Sequence, residues 1–136
     1  MRVVLDSNEF VFAFQERREI QVKLFKSVSP NEIFLPHLIL REVIRNISFS
    51  SKNDMWEFRN GLFSIFNVID DYIVPTSLVS KYREHGLKDA DALIGAFTEY
   101  IGADVLITEN RHFLREVNIT EFEIVSAQQF LFAWER

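Results

Sequence analysis

Short apolar runs alternate along this chain with segments whose apolar residues recur at helical spacing. Val3-Val4-Leu5 is a β-branched run that stops at the polar turn Asp6-Ser7-Asn8, and it predicts a short, buried central strand. Phe10, Ala13 and Phe14 predict a helix from Glu9 to about Arg17, and Ile20, Leu24 and Phe25 a second from Glu19 to Val28. Ser29-Pro30-Asn31 is a stop, and Glu32-Ile33-Phe34-Leu35 reads as the next strand. Pro36 then opens a helix from His37 to Ile47, since the first helical turn tolerates proline. Ser51-Lys52-Asn53-Asp54 resembles a cap before a helix from Trp56 to Phe66. Asn67-Val68-Ile69 and Tyr72-Ile73-Val74 compete for one short strand. Ser77 to Gly86 reads as a helix closed by glycine, and Asp89 to Tyr100 as another, with Ala92, Leu93, Ala96 and Phe97 on one face. Asp104 to Thr108 and Phe122 to Val125 are the last strands, and Ser126 caps a helix ending at Trp134.

Strands alternating with helices imply an α/β fold with a mostly parallel sheet. No Gly/Ser/Pro linker, repeat or low-complexity block divides the chain, so residues 1–136 read as a single domain. At 48% hydrophobic residues the chain can bury a core and is not disordered. No apolar run approaches the roughly 18 residues of a membrane span. The opening Met1 to Asp6 is too short and too soon acidic for a signal peptide, and the absence of cysteine suits a reducing cytoplasm, the expected location. That absence also excludes a disulfide framework, a thiolate metal site and a cysteine nucleophile. Twenty acids against 15 bases give a net charge of −5, which argues against a large nucleic-acid interface but not a small one.

Parallel sheets place active groups at the carboxyl ends of their strands. Asp6 with Asn8 follows the first strand, and Thr108-Glu109-Asn110 the late one. Glu42 sits inside an otherwise apolar helix, and Asp89 and Asp91 lie in the first turn of the Asp89–Tyr100 helix. Each has an ordinary reading: Asp6 as a turn former, Asp89 and Asp91 as caps, Glu42 as part of an ion-pair face with Arg41 and Arg45. Together they form an oxygen-rich cluster that repels itself unless a cation neutralises it, and hard oxygen donors suit Mg2+ or Mn2+. His37, His85 and His112 have no metal-ligand spacing among themselves. Arg41, Arg45 and Arg111, with Arg115, are the cations nearest to these acids, and the planar guanidinium suits phosphate oxygens.

Four segments carry a family resemblance. Val4-Leu5-Asp6-Ser7-Asn8, Leu40-Arg41-Glu42-Val43, Asp89-Ala90-Asp91-Ala92-Leu93-Ile94 and Val105 to Phe113 resemble, in order and spacing, the four motifs of PIN-domain ribonucleases. The resemblance spans nearly the whole chain. It implies a three-layer α/β/α sandwich around a parallel sheet of about five strands. It also implies a divalent-metal endoribonuclease that hydrolyses RNA phosphodiester bonds. Carried over, Asp6, Glu42 and Asp91 are the catalytic, metal-binding acids. Asn8 orients Asp6, Thr108 holds a metal-bound water or phosphate oxygen, and Asn110 stands where the family usually has a fourth acid. Glu109 is placed to compensate for that amide. The size resembles that of VapC-type toxins, which implies an antitoxin protein partner. A homodimer is expected on the same ground, with surfaces around Leu24-Phe25 and Phe58-Leu62-Phe63.

The alternative within the family is a catalytically weakened module that binds RNA or a protein partner, with Asn110 as the sign of decay. Other doubly wound domains fit less well. A haloacid-type phosphatase would want an aspartate where this chain has Asn8, and a receiver domain a lysine where it has Thr108-Glu109-Asn110.

Overall fold

A computed structural model describes residues 1–134. Its centre is a five-stranded sheet in the order β3-β2-β1-β4-β5, with every neighbouring pair parallel. The strands are β1 (Val3–Leu5), β2 (Ile33–Pro36), β3 (Asn67–Ile69), β4 (Val105–Ile107) and β5 (Glu123–Val125). Helices α1 (Ser7–Phe14), α2 (Glu19–Ser27), α3 (His37–Asn46), α4 (Lys52–Ile65), α5 (Thr76–Glu84), α6 (Asp89–Tyr100) and α7 (Ala127–Trp134) flank it as the outer layers of an α/β/α sandwich. β1 and β4 are buried at every position, as all-apolar strands between two helical layers must be. No helix among the described residues is long and apolar enough to cross a membrane.

The strand order explains where the chemistry gathers. From β1 the chain winds outward through β2 and β3, then returns to β4 on the other side of β1 and winds outward to β5. Connections leaving in opposite directions open a crevice at the carboxyl ends of β1 and β4. The register Leu5↔Ile107 puts the next residues, Asp6 and Thr108, side by side at that crevice.

Several boundaries differ from those read in the sequence, each for a local reason. α1 starts at Ser7 rather than Glu9, because the Asp6 carboxylate accepts the Ser7 amide and caps the helix. It stops at Phe14, short of Arg17, whose φ of 52° lies in the left-handed region. α4 begins four residues before Trp56, capped by Ser51 Oγ, which accepts the Asp54 amide. The competing strand segments resolve in favour of 67–69. Asp70 accepts the Tyr72 amide and turns the chain into one 3-10 turn, Asp71–Ile73. Residues 112–116 form a one-turn π-helix that no pattern in the sequence announced. At Gly95, a Cβ would lie 2.7 Å from Tyr82 Cδ1, so this glycine is what lets α5 and α6 pack closely.

The expected dimer surfaces change as well. Leu24 and Leu62 belong to the core, leaving an apolar cleft of about 340 Å³ lined by Phe14, Phe25, Phe58, Ile65 and their neighbours.

Candidate active site

Asp6 is buried at the end of β1, with its backbone amide continuing the sheet ladder to Ile107 O. Its Oδ1 accepts the Ser7 amide at 2.8 Å and its Oδ2 accepts the Thr108 hydroxyl at 2.7 Å. Thr108 Oγ1 in turn accepts the Asn110 amide at 3.0 Å. Asn110 Nδ2 donates to Asp91 Oδ2 at 3.1 Å, and its Oδ1 accepts the His112 amide at 2.9 Å. One hydrogen-bonded chain therefore links the ends of β1 and β4 to the first turn of α6. Burial and the Asp91 charge raise the Asp6 pKa against the lowering effect of its two hydrogen bonds.

Glu42 approaches from α3. Burial and the charges of Asp6 and Asp91 push its carboxyl pKa up, while Arg45 pulls it down. Its Oε1 is buried with no hydrogen-bond partner. A buried orphan oxygen within electrostatic reach of two other acids is the kind of defect a hard cation relieves. Among the described residues no three His, Cys, Asp or Glu side chains already form a ready-made metal cage. The donor set itself, three carboxylates, fits Mg2+ or Mn2+ and offers nothing to a softer metal, while the Asn110 oxygen is turned to the His112 amide and its Nδ2 to Asp91.

Other site residues stand differently from their expected roles. Asn8 is exposed, and its side chain makes no hydrogen bond among the described residues; Ser7 and Thr108 orient Asp6 instead. The helix that starts at Ser7 rotates Asn8 outward. Thr108 spends its hydroxyl hydrogen on Asp6, so it is a positioning group. Glu109 does not compensate for Asn110, because its Oε2 accepts the Ala127 amide at the start of α7. Asp89 is exposed on a neighbouring groove, with a φ of 27°, and does not cap α6. Arg41 pairs with Asp71 at 3.1 Å, and Arg45 and Arg111 are exposed. His37 and His85 pack edge-on or tilted against Phe63 and Tyr82.

Glu9 escaped the sequence reading. It is fully buried in the first turn of α1, where glutamate usually reaches back to the cap residue's amide. Here that amide is committed to Ile107 O, so the side chain turns inward. Gln21 Nε2 donates to its Oε1 at 3.1 Å, while its Oε2 is buried without a hydrogen-bond partner, near the Glu109 carboxylate. Burial, Glu109 and the Asp6 charge push the Glu9 pKa up to about 9, which favours its neutral acid at neutral pH. The signal available was its position one turn after Asp6 on the face that carries Phe10 and Ala13.

Fold and site together define a class: a parallel α/β sandwich with hydrogen-bonded acids gathered at its topological switch point. The chain belongs to the PIN domain family, whose profile matches residues 3–118. Solved structures share the fold. A toxin–antitoxin complex from Klebsiella pneumoniae matches with a TM-score of 0.70 and 22% identity, covering 90% of this chain and 99% of that one. DNA-bound VapBC from Salmonella typhimurium matches with a TM-score of 0.68 and 18% identity over 93% and 98% of the two chains. VapBC-1 from nontypeable Haemophilus influenzae gives 0.67 and 18% over 94% and 99%. No curated protein sequence matches this chain.

Proposed function

We propose that this protein is a divalent-metal-dependent endoribonuclease that hydrolyses RNA phosphodiester bonds and serves as the toxin of a toxin–antitoxin pair. The observation that carries the reading is the linked set Asp6–Thr108–Asn110–Asp91 with the orphan Glu42 oxygen beside it, at the carboxyl edge of a PIN-domain sheet. Asp6, Glu42 and Asp91 would hold Mg2+ or Mn2+; the expected fourth ligand, Asn110, turns its oxygen to the His112 amide and would orient Asp91 through its Nδ2. When bound, such an ion supplies an acidified water and neutralises charge on phosphate oxygens. The residues do the rest. Ser7 and Thr108 lock the Asp6 carboxylate, and Asn110 holds Asp91. Glu42, whose buried Oε1 has no partner, would complete the set of carboxylates that holds the ion. Arg45 and Arg111 stand ready for phosphate oxygens. The size and fold shared with VapBC complexes support an antitoxin partner. Cleavage of an unstructured synthetic RNA in Mg2+ or Mn2+, abolished by excess chelator, tests the reading; uncut RNA under both ions would leave a binding module instead.

Asn110→Asp is expected to act in opposite directions on folding and on metal. It replaces the Nδ2 donor facing Asp91 by a second carboxylate, so the metal-free protein should melt at a lower temperature. Added ligand charge should tighten the ion, lowering the metal concentration for half-maximal cleavage on the order of tenfold. An unchanged metal dependence would show that a carboxylate at position 110 does not reach the ion.

A homodimer accompanies this reading, closed over the apolar cleft beside Phe14, Phe58 and Ile65. Light scattering at micromolar concentration should give twice the chain mass of 16.0 kDa. A monomer mass would refute it.

A further inference from the structure

The charged residues that line the cleft between α3 and α4 are all basic, on a chain of net charge −5. His37, Arg41 and Arg45 are spaced four apart on α3 and so share one face. With Arg59 of α4 they wall a cleft of about 320 Å³, and Leu40 and Ile44 complete its lining. No aspartate or glutamate takes part. Two of the cations are partly answered from outside the cleft: Arg41 pairs with Asp71, and Arg45 lies in the field of Glu42. Arg59 has no ion pair or side-chain hydrogen bond among the described residues. Its guanidinium rests instead over Trp56 and Phe63, at 5.3 and 4.7 Å from the ring centres. Such stacking engages the face of the planar fork and leaves its N–H edges for an acceptor.

We infer that this cleft is the docking site for an acidic, amphipathic segment of a protein partner, with a carboxylate on Arg59 and an apolar side chain on Ile44. Two features of the cleft define that occupant. Basic walls without an acid among them complement an anion. The aliphatic floor complements an apolar side chain carried by the same segment, which a bare phosphate lacks. A single-stranded nucleic acid would bring bases that need a ring to stack on, and Arg59 already lies on the two rings beside the cleft. None of Asp6, Glu42 or Asp91 lines the cleft, so the inference stands apart from the nuclease reading.

The test measures binding without cleavage. A fluorescein-labelled helical peptide with glutamate and leucine on one face is titrated by anisotropy in excess chelator. The same peptide with every glutamate replaced by glutamine is titrated beside it. The acidic peptide should bind, with an affinity that falls as salt is added, and the glutamine peptide should not. Arg59→Gln should weaken the acidic peptide by about tenfold or more, the effect of one charge-assisted hydrogen bond. Ile44→Glu should block the cleft from within, by supplying a carboxylate of its own. Arg115→Gln, which removes an exposed arginine that lines no part of the cleft, should bind as the parent does. Melting temperatures separate a lost site from a lost fold; if Arg59→Gln does not fold, Ile44→Glu carries the test. Equal affinity of Arg59→Gln and parent would overturn the inference. So would equal affinity for the two peptides, or no binding at millimolar peptide. A single-stranded RNA that binds in place of the peptide and is weakened by Arg59→Gln would assign the cleft to nucleic acid and overturn it too. Because the readout needs no cleavage, a parent that never cuts RNA would defeat the nuclease reading and leave this one standing.

Discussion

Asp6→Asn is expected to abolish RNA cleavage while leaving the metal-free protein at least as stable as the parent. The loss of activity follows from charge. Asp6 is the acid at the junction of β1, β4 and α1, and its replacement removes an anionic donor from the metal set. Metal stabilisation of a phosphoryl transition state amounts to several kcal/mol. At about 1.4 kcal/mol per decade the expected loss is on the order of a thousandfold or more. The stability argument runs the other way. Burial and Asp91 raise the Asp6 pKa above its ordinary 3.8, so the folded state holds a proton that the unfolded state releases. Stability therefore falls as pH rises from about 3.8 through the raised value, and Asn escapes that loss. The amide also fits the same partners, its Oδ1 accepting the Ser7 amide and its Nδ2 donating to Thr108 Oγ1. Added Mg2+ or Mn2+ should reverse the order of melting temperatures, because the parent binds the ion more tightly. A variant that cuts RNA at the parental rate would sink the metal-nuclease reading.

Glu9→Gln is expected to flatten the pH dependence of stability. In the parent, the unfolded Glu9 ionises near 4.5, while the folded carboxyl holds its proton to about 9. The folded state binds the extra proton, so stability falls across that window, by about 1.4 kcal/mol for each pH unit in which only the folded state is protonated. Glutamine is the neutral acid's near-isostere: its Oε1 accepts from Gln21, and its Nε2 donates to Glu109. The variant should match the parent near pH 5 and exceed it increasingly toward pH 8. Glu9→Ala should instead be destabilised by about 1–3 kcal/mol, the cost of leaving Gln21 and Glu109 without their buried partner. Urea denaturation from pH 5 to 9 reads all three proteins. Parallel pH curves for parent and Glu9→Gln would show that Glu9 is ionised in the folded state.

Much of the site was legible because its residues sit where strands end. Asp6 and Thr108 follow apolar runs too short to be anything but buried strands, and a parallel sheet aligns such ends on one edge. Asp91 was legible from the helical face that follows it. Roles within the pocket were less legible. Asn8 and Asp6 are two residues apart, but the cap formed by Asp6 starts the helix at Ser7 and rotates Asn8 to solvent. Glu109 and Asn110 are adjacent, yet one faces α7 and Glu9 while the other faces Asp91.

By itself, then, the sequence determined the α/β alternation and the strands and helices that carry the candidate acids. Those depend on periodicity and residue type, which are local. The tertiary structure decided what depends on partners distant in the chain. Thr108 reaches Asp6 across 102 positions, which makes it a holder of that carboxylate. Burial, with Glu109 brought against it from one hundred residues on, pushes the Glu9 pKa up to about 9. A hydrogen-bond partner and a desolvated neighbour are both set by packing, and no local pattern encodes them.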